Sequence, residues 1–260
     1  MNTKNNIKAV FLDLYGTVFI ENQWLPGAKE TVDWLLKNEL QIRFITNTTL
    51  KNRKMLSEIF SHIGIQVPSE SFFIPARAAR NWFIENPPKT GILPLVHSSQ
   101  IEDLGDIPLV YNESADFVLV GDMGDEWNID IMNKGLRTLA AGAALTALQQ
   151  NPYWLAADGI RLDTGSFVAA LEYGAGIKCQ YVFGKPNELF FKMALADTGI
   201  TPEHTIMVGD DYQSDIIGAS RCGIKGVLLK SGKYDYTKFP EKAFAVINGI
   251  GALPSWIENQ

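Results

Sequence analysis

The chain alternates short apolar runs with amphipathic helical patterns, and this alternation limits it to folds in which helices cover a parallel sheet. Residues 7–14 and 41–47 have the apolar content of buried strands, and a helical pattern follows each of them. The rhythm returns later, where strands are predicted over 180–183, 204–209 and 226–229. The sequence therefore predicts an α/β protein with a Rossmann-like, doubly wound parallel sheet.

A second α/β pattern interrupts this core. It contains strands predicted over 92–96, 115–120 and 153–157, and a long helix predicted over about 129–148. We therefore expect a discontinuous core of residues 1–74 and 180–260, with a smaller α/β domain of residues 75–179 inserted into it.

Composition excludes several classes of protein. The 260 residues include 23 Lys and Arg against 29 Asp and Glu, and the net charge of −6 disfavours a nucleic-acid surface. No apolar run approaches the roughly 18 to 20 residues of a membrane span. Two cysteines cannot build a disulfide framework, and no signal-peptide cleavage site follows the N-terminal apolar run. We expect a cytoplasmic protein with no nucleic-acid or membrane partner.

Unusual polar residues follow the predicted strands, at the edge where open parallel sheets bind ligands. Asp13 ends the first strand, where it is either a turn cap or a carboxylate that attacks phosphorus. Thr46 and Asn47 follow the second strand, where a hydroxyl and an amide suit an anion, although a helix cap is the alternative. Lys185 lies between Gly184 and Pro186, and it is placed to neutralise a phosphate.

Three carboxylates follow the strand 204–209 within six residues: Asp210, Asp211 and Asp215. Their mutual repulsion calls for a cation, and hard oxygen ligands suit Mg²⁺. A solvated acidic turn is the alternative reading of the same pattern.

Taken in order, these motifs resemble the haloacid dehalogenase superfamily, whose members are mostly aspartyl-phosphate-forming phosphatases. The shared pattern is D-x-x-G-T from Asp13, then a strand-end threonine, a lysine, and G-D-D-x-x-x-D from Gly209. The insert lies where the superfamily's class II caps are placed. Residues 44–49, 163–173 and 182–186 look like the nitrophenylphosphatase-like branch, which includes the phospholysine phosphohistidine inorganic pyrophosphate phosphatases.

The resemblance implies a catalytic core, a class II cap and a set of roles. Asp13 would attack phosphorus and bind Mg²⁺, Thr46 would hold the phosphoryl group with Asn47 close by, and Lys185 would stabilise the charged intermediate. The backbone carbonyl of Tyr15 would also ligate the metal. In the last motif, Asp210 would ligate the metal directly, while Asp211 and Asp215 would hold the metal's waters or Lys185.

Tyr15 departs from the family pattern, because most of these phosphatases carry a general-acid Asp at this position. An ordinary tyrosine, with a pKa of about 10, is a poor base near pH 7. Three interpretations stay open: a phosphatase for leaving groups that need little protonation, a catalytically weak protein that binds a phosphorylated ligand, or a 2-haloacid dehalogenase. The acidic cluster argues against the last, since those dehalogenases need no metal.

The resemblance also suggests where selectivity arises. Class II caps select a small phosphorylated substrate through a loop that we place near residues 157–165, with Arg161 and Asp163 as candidate contacts. Cap-mediated dimers occur among such proteins, so a homodimer through the cap is a further prediction.

Overall fold

The computed structural model describes residues 6–20, 23–156, 158–230 and 243–260. The chain forms two units. The first comprises the described parts of Met1–Thr46, Arg53–Phe73 and Lys185–Gln260, and the second comprises those of Asn47–Asn52 and Ile74–Gly184.

The strands, in chain order, are β1 (Ala9–Asp13), β2 (Phe19–Ile20), β3 (Gln23–Trp24), β4 (Gln41–Ile45), β5 (Phe72–Phe73), β6 (Ile92–Leu95), β7 (Phe117–Val120), β8 (Ala144–Ala147), β9 (Tyr153–Ala156), β10 (Gly159–Leu162), β11 (Tyr181–Val182), β12 (Thr205–Gly209), β13 (Lys225–Leu229) and β14 (Ala245–Ile247). The α-helices are α1 (Ala28–Lys37), α2 (Arg53–His62), α3 (Pro75–Glu85), α4 (Ile101–Leu104), α5 (Ile129–Ala140), α6 (Thr164–Ala175), α7 (Glu188–Thr198), α8 (Gly218–Ser220) and α9 (Leu253–Glu258). A π-helical turn, Tyr212–Ile217, leads into α8.

A six-stranded parallel sheet forms the centre of the first unit, in the order β14-β13-β12-β1-β4-β5. β1 pairs with β4 on one edge and β12 on the other, so the chain's progress across the sheet reverses at β1. All five residues of β1 are buried, as expected of an apolar strand with parallel neighbours on both sides. The Rossmann-like α/β fold predicted from the sequence is confirmed.

Aromatic side chains fill the core of the first unit around Phe60 of α2. The ring of Phe60 meets those of Phe19, Trp24, Phe44 and Phe72 edge-on, with centroids 4.8 to 5.7 Å apart. This arrangement connects α2 to the sheet and to the β2–β3 hairpin, because Phe44 and Phe72 belong to β4 and β5.

The second unit has its own parallel sheet, in the order β11-β8-β7-β6, and its own core. The buried side chains come from the sheet and from α5 and α6, among them Val118, Leu145, Val168 and Leu171. An antiparallel hairpin, β9–β10, belongs to the same unit.

One predicted element was wrong, and a second was correct as a strand but assigned to the other unit. The helix predicted over 129–148 ends at Ala140, because Gly142 takes a φ of +107°, and residues 144–147 form β8. The strand predicted over 180–183 was assigned to the core, but Tyr181 and Val182 pair with Thr146 and Ala147 of β8. The two errors are linked. The alanine-rich sequence of β8 favours a helix, so β8 was not predicted as a strand. Without β8, the strand β11 had no predicted partner in the second unit.

In the ranges that the structure describes, no helix is both long and apolar enough to cross a membrane.

We expect Phe60→Ala to destabilise the first unit by about 3–5 kcal/mol, because it empties a closely packed aromatic cluster. Chemical denaturation followed by circular dichroism measures this loss. Glu58→Ala is the matched control on the exposed face of the same helix, and we expect it to change stability by no more than about 0.5 kcal/mol. Equal effects of the two substitutions would contradict the importance of the cluster.

Candidate active site

The carboxyl ends of three neighbouring parallel strands carry polar side chains. Asp13 is the last residue of β1, Thr46 follows β4, and Asp210 follows β12. Because parallel strands end at one edge, the sheet brings these residues together where the strand order reverses. This is the edge at which the sequence predicts the site.

Lys185 connects two of the acids. Its ammonium group lies 2.5 Å from Oδ1 of Asp13 and 2.7 Å from Oδ1 of Asp215. All three side chains are buried, and Asp215 is completely so. In a buried ion pair, removal of one partner leaves an uncompensated charge, which typically costs about 3–5 kcal/mol. Lys185 is therefore held firmly beside Asp13.

Asp210 approaches the turn that follows β1. Gly16 in that turn has a φ of +89°, and a Cβ at this position would lie 2.7 Å from Oδ2 of Asp210. Only glycine allows both this backbone conformation and this approach without strain. Asp210 can therefore approach the backbone of Gly16 closely because that residue has no side chain.

Three carboxylates converge on one position. Asp13, Asp210 and Asp215 each offer an oxygen, and these oxygens lie within 4.8 Å of one another. Lys185 forms ion pairs with two of these acids, Asp13 and Asp215, and so brings one positive charge to a group that carries three negative charges when fully ionised. An excess of negative charge in a buried place is unfavourable unless a cation compensates it.

The acidities reflect this crowding. Burial raises the pKa of Asp13 above its usual range, against the attraction of Lys185 and with added repulsion from Asp210. Burial also raises the pKa of Asp215 to about 7; Lys185 opposes the rise and Asp13 adds to it. Burial alone would lower the pKa of Lys185, but the carboxylates of Asp13 and Asp215 outweigh it and hold the pKa above its usual range. The lysine is therefore a permanent cation.

The donor set has the chemistry of a magnesium site. Carboxylate oxygens are the hard ligands that Mg²⁺ prefers, and the ion typically takes one or two of them together with waters and phosphate oxygens. Asp13 and Asp210 supply such oxygens beside the excess negative charge. The residues present therefore fit a divalent cation.

Asp211 has a different environment from the converging acids. Its Oδ1 accepts hydrogen bonds from the backbone N–H groups of Gln213 at 3.0 Å and Ser214 at 2.9 Å, which caps the π-helical turn. The backbone N–H group of Asp211 donates to Oδ2 of Asp215, and the N–H group of Asp215 donates to the backbone carbonyl of Asp211. Asp211 therefore helps to fix the acid that holds Lys185.

Thr46 and Tyr15 lie at the same edge of the first unit. Thr46 is buried, and its N–H group donates to the carbonyl of Phe73. Tyr15 forms a β-bridge with Phe19, and their rings meet edge-to-face with centroids 4.9 Å apart. The side chain of Tyr15 nevertheless remains 39% exposed.

Two predicted substrate contacts lie in the second unit, on different segments. Asn47 belongs to the segment Asn47–Asn52, and its side-chain oxygen would lie 2.9 Å from a Cβ at Gly184. Arg161 lies on β10 and binds Asp158 through two hydrogen bonds, of 3.1 and 2.7 Å, with the Trp154 ring 6.0 Å away.

Asp163, the third of these predicted contacts, is buried at the start of α6. Its carboxylate accepts hydrogen bonds from the N–H group of Thr164 at 2.7 Å and from Nε2 of Gln149 at 2.5 Å. The side chain thus caps the helix, and its role toward a substrate stays a prediction.

Sequence reasoning missed Gly209 as a site residue. Any side chain there would overlap the carboxylate of Asp215. The available signal was a glycine at the end of an apolar strand, directly before two acids, since such a position often marks close approach by another group.

Comparison with known proteins is consistent with this geometry. A family model for haloacid dehalogenase-like hydrolases matches residues 10–106, and a second, HAD-hydrolase-like model matches residues 182–253. Haloacid dehalogenase-like hydrolase domain-containing protein 2 of Bos taurus is 35% identical over 236 residues, which cover 90% of this chain and 88% of that protein. Phospholysine phosphohistidine inorganic pyrophosphate phosphatase of Danio rerio is 30% identical over 237 residues, covering 88% and 85% respectively.

Solved structures share the fold at lower sequence identity. The p-nitrophenyl phosphatase of Archaeoglobus fulgidus superposes with a TM-score of 0.88 at 22% identity, over 99% of this chain and 100% of that one. NagD of E. coli K-12 gives 0.86 at 24% identity, over 94% and 97%. With relatives this similar along nearly all of its length, the chain belongs to the haloacid dehalogenase-like hydrolases.

Proposed function

We propose that the protein is a Mg²⁺-dependent phosphohydrolase that forms an aspartyl-phosphate on Asp13. The observation that carries the proposal is the buried group of Asp13, Lys185, Asp210 and Asp215 at the reversal point of the sheet. Phosphatase activity as such agrees with the family and with its phosphatase relatives.

In the first half-reaction, a carboxylate oxygen of Asp13 attacks the phosphorus of the substrate. A bond forms between Asp13 and phosphorus while the bond to the leaving group breaks, and the leaving group departs with that electron pair. Lys185 stays beside the attacking carboxylate as an ammonium ion and stabilises the charge on the phosphoryl group. Thr46, at the same sheet edge, donates a hydrogen bond to a phosphoryl oxygen.

In the second half-reaction, water attacks the phosphorus of the aspartyl-phosphate. The bond between Asp13 and phosphorus breaks, the carboxylate of Asp13 is restored, and both hydrogens of the water remain on the phosphate product. Asp215 contributes indirectly, because its contact with Lys185 keeps the ammonium group in place through both steps.

The metal would be held by Asp13, Asp210 and the backbone carbonyl of Tyr15. A bound divalent cation supplies positive charge to the phosphoryl oxygens and offsets the excess of carboxylates. Asp211 supports the site through the turn that it caps, and Asp215 through Lys185. With this division, Asp13 both attacks phosphorus and holds the metal, whereas Asp210, Asp211 and Asp215 have one task each.

Tyr15 restricts the leaving group. An Asp at this position would donate a proton to the leaving oxygen, and loss of such acid–base help typically costs about 10²–10⁴-fold in rate. The enzyme therefore favours phosphorylated compounds whose leaving group departs without protonation by an Asp. Aryl phosphates, P–N bonds and pyrophosphate have such leaving groups.

Asn47, Arg161 and Asp163 are proposed to serve substrate binding from the second unit. Arg161 presents its guanidinium group on an exposed hairpin, where Asp158 fixes its orientation. Asp163 fixes the start of α6, directly after that hairpin. The substrate is a small phosphorylated molecule.

A homodimer through the second unit is a further part of the proposal. On the β9–β10 hairpin, Tyr153 opposes Leu162 and Leu155 opposes Ile160, and all four side chains are 56–77% exposed. An apolar face of this kind is suited to meet a second copy of itself across a two-fold axis.

We also propose a cytoplasmic location. Cys179 and Cys222 both carry free thiols, a state that a reducing compartment maintains.

The proposed function predicts hydrolysis of 4-nitrophenyl phosphate that requires Mg²⁺ and Asp13. We expect Asp13→Asn to lower kcat by about a thousandfold or more, because the amide is no nucleophile. Chelation is expected to abolish turnover, and added Mg²⁺ to restore it. Asp106→Asn, a change of an exposed acid, is the control.

Other outcomes of this assay point to the alternatives. Full activity of Asp13→Asn would exclude the aspartyl-phosphate. Stabilisation by phosphorylated ligands without turnover would indicate a binding protein. Halide release from 2-haloacids in the presence of chelator would indicate a dehalogenase.

Substitutions of Asp211 test whether it acts through its cap. Asp211→Asn keeps an oxygen that accepts the two backbone hydrogen bonds, so we expect activity within about tenfold of the wild type. Asp211→Ala loses them, and we expect turnover to fall about 10–100-fold, as for other supporting residues of metal sites. Gln213→Ala, which keeps its backbone donor, is the control. Equal losses in both Asp211 variants, with an increased Mg²⁺ requirement, would make Asp211 a metal ligand instead.

The dimer is tested by analytical ultracentrifugation. We expect the wild type to sediment as a dimer and the double variant Leu155→Lys, Ile160→Lys to sediment as a monomer, because two charges replace the centre of the apolar face. Tyr173→Lys, at a 93% exposed position on α6, controls for the loss of an exposed apolar group elsewhere. A monomeric wild type, or a double variant that remains dimeric, would refute this interface.

A further inference from the structure

We infer that Tyr15 is a specificity-determining residue, whose ring stacks on an aromatic leaving group and so favours aryl phosphates. The inference rests on the proposed function, because it concerns the substrate of the same site. It concerns the ring of Tyr15, and it is separate from the loss of a general acid at that position.

The place of Tyr15 in the chain is the first argument. β1 ends at Asp13, and Tyr15 follows two residues later at the start of a turn. The N–H groups of Thr17, Val18 and Phe19 all donate to the carbonyl of Leu14, which closes this turn directly after the strand. Tyr15 therefore stands at the carboxyl end of β1, the edge that carries Asp13.

The position of the ring is the second argument. Phe19 contacts the ring of Tyr15 edge-on at 4.9 Å and is completely buried, and it packs in turn on Phe60. The backbone is restricted as well, because Gly16 follows with a positive φ and a Cβ at that position would lie 2.7 Å from Oδ2 of Asp210. These contacts restrict the ring before any substrate binds, so ordering it on binding costs less entropy.

The exposure of the ring is the third argument. Tyr15 is 39% exposed although it stands two residues from a buried acid of the site. A restricted and partly exposed aromatic ring offers a flat apolar surface beside the attacking group. Offset stacking on such a ring is worth roughly a two- to tenfold gain in affinity, and a saturated group of equal size gains less.

The test compares Tyr15→Leu with Tyr15→Phe on two substrates that both have good leaving groups. The leaving group of 4-nitrophenyl phosphate is aromatic, whereas that of acetyl phosphate, acetate, is not. We expect Tyr15→Leu to lower the ratio of kcat/KM for the aryl substrate to that for acetyl phosphate about two- to tenfold, mainly through KM. We expect Tyr15→Phe to keep the ratio within about twofold, because the ring is retained. An unchanged ratio in Tyr15→Leu would overturn the inference.

Inhibition of the wild type provides a measurement that does not depend on the folding of a variant. Phenylphosphonate and cyclohexylphosphonate have similar size, but only the former is flat and aromatic. We expect phenylphosphonate to bind about two- to tenfold more tightly, and equal inhibition would overturn the inference. Absence of any turnover that depends on Asp13, with either substrate, would instead refute the proposed function, so the two failures are distinguishable.

Discussion

The burial of three carboxylates around a single ammonium group is the constraint on which the first unit depends. Asp13 and Asp210 lie at the ends of apolar strands, and Asp215 is buried within the π-helical turn. Ionised groups in such places are costly unless they are compensated. Lys185 compensates part of the charge, and its contact with two of the acids links the second half of the chain to β1. A divalent cation is the natural complement to what remains. The arrangement is unfavourable for stability by itself, and in the proposed function the cation that it holds would attract the phosphoryl group.

Several features of the backbone serve this one arrangement. The reversal of strand order at β1 gives the acids a common edge, and Gly16 and Gly209 let the acidic side chains approach the chain closely. The cap formed by Asp211 fixes the turn that carries Asp215. None of these backbone features would take part in a reaction, yet each affects how closely the acidic side chains approach one another or the chain. Gly209 and Asp211 both act on Asp215, the acid that holds Lys185.

Much of this arrangement could be predicted from the sequence, because the carboxyl ends of parallel strands lie at the same edge of a sheet. An acid at the end of an apolar run is expensive, so Asp13 and Asp210 were conspicuous, and the sheet edge follows from the βα rhythm. The role of Asp211 was not predictable, since metal-bound, solvated and capping carboxylates look alike in a sequence. The strand β8 was missed because Ala-rich sequences favour helix locally, and only its pairing with β7 and β11 makes it a strand. The sequence therefore predicts which residues reach the sheet edge, whereas the task of each carboxylate and the strand β8 depend on tertiary contacts.

The insertion of the second unit has a consequence for the synthesis of the protein. Asp13 and Lys185 are 172 residues apart, and the edge of β1 that pairs with β12 has no partner until Thr205–Gly209 has been translated. The strands β6 to β11 all precede β12 in the chain, so the second unit is complete on the ribosome while the first is still missing half of its sheet. Until then, the edge of β1 presents unpaired backbone N–H and C=O groups beside apolar side chains, a combination that favours aggregation. Asp13 is therefore synthesised early, and Lys185 is synthesised only after the inserted unit has had time to fold.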